Sequence, residues 1–95
     1  MLMNPRALQT NEEVFEYLVQ LGSRLEEVGN NALAEVVIQS SRFASGSASE
    51  FFNEAELAVQ QVVKQRPVEL SESELKDAEA VLAQIKEAFL KIGGA

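Results

Sequence analysis

Apolar residues recur at intervals of three and four in separate runs along the chain. In the first run Val14, Leu18, Leu21, Leu25 and Val28 fall in line. That is the stripe of an amphipathic helix, not the every-second-residue alternation of a strand. Thr10 and Glu13 precede it as a capping box, the hydroxyl accepting from the Glu13 amide and the Glu13 side chain reaching back. Glu12, Glu13 and Glu16 place negative charge where the helix dipole favours it. Gly29 tolerates positive φ and supplies a stop. Gly22 costs up to about 1 kcal/mol inside a helix, and the close approach of a second helix would account for it.

The second run, Leu33, Val36, Val37, Ser40 and Phe43, follows a cap at Asn30 or Asn31. Ala32, Ala34 and Ile38 widen its apolar surface, so this helix is expected to lie deepest. Glu35-Val36-Val37-Ile38 would also suit a strand. The surrounding Ala, Glu and Leu residues favour a helix, and the run exceeds a typical strand. Ser45-Gly46-Ser47 breaks the chain, and Ser47 with Glu50 forms a second capping box. Phe51, Phe52, Ala55, Val59, Val62 and Val63 then make a third stripe, ended by Pro67. Ser71 and Glu74 form another box, with Leu70 stapling onto Leu75 across it. The last stripe is Leu75, Ala78, Leu82, Ile85, Phe89 and Ile92, stopped by Gly93-Gly94.

The pattern predicts an all-α chain with helices at roughly 11–28, 31–45, 48–66 and 72–92. Residues 1–10 form an N-terminal extension to a single helical domain, 11–95. Short connections favour antiparallel neighbours, hence an up-down-up-down four-helix bundle. Two helical hairpins packed otherwise are the alternative. Arg42, Lys64, Arg66 and Lys91 sit near helix C-termini, where cations are favoured. Glu72–Lys76 and Glu87–Lys91 have the spacing of surface ion pairs.

Composition narrows the chemistry. With 46% hydrophobic and 24% charged residues, the 95-residue chain has the make-up of a globular domain. It has no cysteine and no histidine. Disulfides, catalytic histidines, zinc sites and Glu-x-x-His di-iron sites are therefore out of reach. Asp77 is the lone aspartate, too few for a calcium loop, and no Gly-Lys-Ser/Thr phosphate loop is present. Neither a cofactor nor a metal is expected. The apolar runs fall far short of the roughly 18 residues a membrane span needs, and no signal-peptide pattern opens the chain. A cytoplasmic location without membrane contact is the default expectation. Fifteen acids against eight bases leave a net charge of -7. The bases are scattered, which argues against nucleic acid and for solubility or a basic partner.

The carboxylate pairs Glu12/Glu16 and Glu50/Glu54 each share a helix face, where solvated glutamate is the ordinary condition. The serine-rich break raises one candidate anion site: Arg42, Ser45, Gly46, Ser47 and Ser49, where a helix start could offer free amides. The plainer reading is a turn whose serines cap and solvate helix ends. Acyl carrier proteins are also small, acidic and helical, but they carry Asp-Ser-Leu at a helix start. Gly46-Ser47-Ala48-Ser49 does not resemble it. A candidate partner surface comprises Leu2 and Met3 in the extension with Tyr17, Phe52 and Leu90, which lie off the tightest stripes.

The expected function is a non-enzymatic helical interaction module, a homodimer or a subunit of a larger complex, since a small bundle gains burial by associating. An acidic inhibitor, immunity or antitoxin-like protein that masks a basic site is one alternative. An anion-binding bundle built on the serine-rich turn is another.

Overall fold

The computed structural model describes residues 11–91, which form four α-helices with no strand among them. They are α1 (Asn11–Glu27), α2 (Asn31–Ser41), α3 (Ala48–Gln65) and α4 (Glu72–Lys91), with a 3₁₀ turn at Arg42–Ser45. The extension, Thr10 of the first capping box and Ile92 of the last stripe lie outside the described residues.

Where the flanking residues are described, the expected boundaries hold to within a residue except at the end of the second helix. There the continuous α-helix to residue 45 gives way to the 3₁₀ turn. The serine pair supplies the reason. The Ser40 hydroxyl donates to the Val37 carbonyl at 2.7 Å, and that of Ser41 to the Ile38 carbonyl at 2.6 Å. Such back-bonding competes with the α-helical ladder and tends to bend it. The Arg42 amide then turns to the Gln39 and Ser40 carbonyls. Both serines are buried, and their hydroxyls are satisfied within the helix.

Local chemistry sets the other ends. The Gly29 amide donates to the Glu26 carbonyl at 3.0 Å and the Asn30 amide to the Leu25 carbonyl at 2.9 Å. Together with φ +89° at Gly29, this is a Schellman stop. Asn30 also opens α2, its side-chain oxygen accepting from the Leu33 amide at 3.3 Å. Ser47 caps α3 by accepting from the Glu50 amide at 3.2 Å. Before α4 the capping box is complete. The Ser71 hydroxyl accepts from the Glu74 amide at 3.1 Å, and the Glu74 carboxylate accepts from the Ser71 amide at 2.8 Å. Leu70 and Leu75 are both buried across that cap.

The helices pack closely as two hairpins, α1 on α2 and α3 on α4, joined along α2 and α3. Between α1 and α4 a side-chain tie takes over: Arg24 Nε donates to Glu74 Oε2 at 2.7 Å. The end of α1 thus lies beside the start of α4.

Each helix contributes an inward face. Val14, Leu18, Leu21 and Leu25 of α1 are buried, as are Phe51, Ala55, Val59 and Val62 of α3. In α4 the inward row is Leu75, Ala78, Val81 and Ile85, with Leu82 and Phe89 only partly covered. The α2 helix has the largest buried share of the four, as its wide apolar surface leads one to expect. Leu33, Ala34 and Val37 are buried, but Ala32 and Val36 face solvent. Gly22 is buried at the α1–α2 crossing, where an added Cβ would stand 2.5 Å from Ile38 Cγ1. The missing side chain is what lets the helices approach.

Candidate functional site

Burial divides the expected partner surface. Tyr17 is 7% exposed and Phe52 6%, so both belong to the core. Tyr17 sits one residue from the stripe position Leu18, and Phe52 follows Phe51 in the third apolar run. A helix enclosed on more than one side buries an arc wider than a single stripe. The Phe51 and Phe52 rings lie 5.6 Å apart, tilted by 36°. Leu90 is exposed at 64% but has neither of these residues beside it on the surface. Leu2 and Met3 lie outside the described residues. The five residues therefore do not form one exposed patch.

The candidate anion site is also divided. The Ser47 oxygen is engaged by the Glu50 amide, so it already serves the helix start that an anion would need. Gly46 donates its amide to the Phe43 carbonyl at 2.9 Å. Ser49 faces solvent on α3. Arg42 and Ser45 do come together, along an open groove of about 520 Å³ between the first turn of α1 and the 3₁₀ turn. Phe15 and Ala44 supply its apolar walls, and Glu12 stands on the same rim as Arg42. A carboxylate there opposes a bound anion. The groove thus has apolar walls and one charge of each sign at its edge.

The sequence pattern missed this groove because its parts are some thirty residues apart and Phe15 lies outside the stripe. It likewise missed the shallow groove of about 120 Å³ between α2 and α3, bordered by Val36, Gln39, Phe43, Glu54, Leu57 and Gln61. Val36 is 39% exposed and Leu57 50%. The visible signal was Leu57, a leucine opposite the Val59–Val62 face of its own helix.

Four titratable groups, Tyr17, Arg24, Glu74 and Asp77, line a small pocket of about 160 Å³, and the candidate carboxylate pairs are not among them. Glu12, Glu16 and Glu50 face solvent and Glu54 is half-buried. No group of three or more acidic side chains is placed to hold a metal ion among the described residues. The ion pairs are structural. Arg24 bridges Glu74 and, at 3.1 Å, Glu27. Arg66 reaches Glu79 at 2.9 Å and Glu72 at 3.5 Å. Glu72 thus pairs with Arg66, not with Lys76 as its spacing suggested. Burial pushes the Glu74 carboxyl up, but the Arg24 guanidinium and Ser71 together bring it below its ordinary value. Hydrogen bonding to Glu74, then to Glu27, raises the Arg24 guanidinium further. Among the described residues no helix is long and apolar enough to cross a membrane. No protein-family model, curated protein or solved structure matches the chain.

Proposed function

We propose that this chain is a non-catalytic helical interaction module that associates with itself or joins a larger protein assembly. The observation that supports the reading is the exposure of large apolar side chains beside grooves. Phe15 borders the groove at the start of α1, and Val36 and Leu57 border the one between α2 and α3. Apolar groups so grouped are what partner surfaces present. A core of this size also leaves a small domain little margin, which association increases.

Light scattering coupled to size exclusion, on the full chain at low and moderate salt, tests the reading, together with capture of partners under the same conditions. A dimer, or a stoichiometric partner whose binding persists at moderate salt, supports apolar docking. A partner held only at low salt would move the function to masking of a basic site by the acidic surface. A monomer that captures nothing would overturn the proposal.

A further inference from the structure

We infer that the α2–α3 face is self-complementary and receives a second copy of this chain, with Leu57 on the two-fold axis. The inference rests on the self-association reading and specifies its surface.

On α3, Glu50, Glu54, Leu57, Gln61 and Lys64 follow one another at intervals of four and three. They therefore share one helix face. All five are exposed except Glu54, which is half-buried. Leu57 is the only apolar residue in the row. Glu50 and Lys64 stand seven residues to either side of it, each about 10 Å away along the helix axis. The row thus carries opposite charges at equal distances from an apolar centre. Laid antiparallel against itself, it sets Leu57 on Leu57 and each Glu50 on the other copy's Lys64. Laid parallel, it sets glutamate on glutamate and lysine on lysine. The charges therefore select the antiparallel arrangement, which is that of a closed two-fold dimer.

Glu50 and Lys64 take no part in the ion pairs of the described residues, so their charges are available to a second copy. The groove beside Leu57 has Val36 and Phe43 on its α2 side, offering the incoming leucine an apolar recess. Glu54 is the one charged residue lining it, beside the neutral Gln39 and Gln61. On a chain of net charge -7, the antiparallel arrangement also sets Glu54 on the other copy's Gln61, so the row meets itself without a like-charge contact.

Sedimentation equilibrium on the full chain, from about 1 μM to about 1 mM, tests this, a range suited to a small interface. The parent should dimerise with rising concentration, and Leu57→Glu should weaken the dimer at least about tenfold. Glu50→Lys and Lys64→Glu alone should each weaken it, because each creates two like-charge contacts per dimer. The doubly swapped chain should recover the dimer. Mixing the two singly swapped chains should yield a heterodimer, since each then meets its opposite at both ends. These positions are exposed, and circular dichroism confirms that each variant is folded. A dimer indifferent to all of these substitutions would overturn the assigned face while leaving self-association intact. A parent that stays monomeric throughout would overturn both.

Discussion

The connection from α1 to α2 takes three residues, Val28 to Asn30, and the one from α3 to α4 takes six, Arg66 to Ser71. Both enter a left-handed residue at the helix end, Gly29 with φ +89° and Arg66 with φ 44°. In the first turn the backbone does nearly all the work. Gly29 has nothing within 4 Å of where a Cβ would stand, and Asn30 both closes α1 and opens α2. In the second, side chains do it. Arg66 spreads between Glu72 and Glu79, Pro67 and Leu70 are buried, and Ser71 and Glu74 cap each other. The same reversal is thus reached by conformational freedom in one hairpin and by packing and polar contacts in the other. The interhelical contacts differ in the same way: α1 meets α2 over a glycine, whereas α3 brings two phenylalanines into the core.

The largest expected effect breaks the α1–α2 contact. Gly22→Ala places a methyl 2.5 Å from Ile38 Cγ1, an atom that cannot move without the whole isoleucine. Overpacking of this kind costs about 1–3 kcal/mol, offset by the helix preference of alanine, about 1 kcal/mol at most. With the full offset, a net loss of up to about 2 kcal/mol in urea unfolding is expected. In an Ile38→Ala background the clash is gone, and Gly22→Ala should become stabilising. If the sign does not reverse, Gly22 is not there for the approach of α2.

Next comes Gly29→Ala. The site is open, so the cost is conformational alone. It is a left-handed penalty of about 1–2 kcal/mol, less about 0.5–1 kcal/mol for the extra unfolded-state freedom that glycine loses, a net of up to about 1.5 kcal/mol. The measurement is the urea midpoint at unchanged slope. A loss indistinguishable from zero would mean that the turn relaxes out of the Schellman geometry, which amide exchange at Asn30 would report.

Reading the chain alone recovers those parts of this picture that depend on near neighbours. Gly29, the Ser71–Glu74 box and the four stripes act within one or two helical turns, so spacing alone reveals them. Gly22 could be suspected for the same reason, although its neighbour Ile38 could not be named. Arg66 gave no sign of its left-handed backbone, because neither glycine nor asparagine marks the position. Tyr17 and Phe52 were misplaced because their burial depends on where the second hairpin lands, which no local spacing encodes. The 3₁₀ turn did have a signal in the adjacent Ser40 and Ser41, legible once their hydroxyls are credited with back-bonding. Of the candidate anion site only Arg42 and Ser45 came together, beside a phenylalanine and a glutamate from a distant part of the chain.

The tie between the hairpins should have a smaller effect. Glu74→Gln keeps an acceptor for the Ser71 amide but removes the charge facing Arg24. The expected loss is below about 1 kcal/mol, because a carboxylate one-third exposed is screened by solvent. Its pH dependence carries the sharper test. The folded carboxyl lies below its ordinary value of about 4.3. The stability it contributes is therefore complete above that value and is lost as pH falls through the lower folded one. The gap between parent and Glu74→Gln should be widest near neutral pH and close in acid. Arg24 remains protonated throughout and adds no slope. A gap independent of pH would assign the effect to capping, and the two hairpins would then lack a charged tie.

The smallest expected effect brings the two turns together. Arg66→Gly installs in the second turn the residue that the first already uses. It relieves a left-handed penalty of about 1–2 kcal/mol. Against this stand the greater unfolded-state freedom of glycine, about 0.5–1 kcal/mol, and two exposed ion pairs worth little each. The sum is near zero, so Arg66→Gly should unfold within about 0.5 kcal/mol of the parent. Arg66→Ala loses the same ion pairs but keeps the backbone penalty. It should be less stable than Arg66→Gly, by about the loss seen in Gly29→Ala. If alanine and glycine prove equal at position 66 while differing at position 29, the left-handed backbone is not what limits the second turn. The buried Pro67 and Leu70 would then be what holds Arg66 in that conformation, and the two reversals would share a shape without sharing a cost.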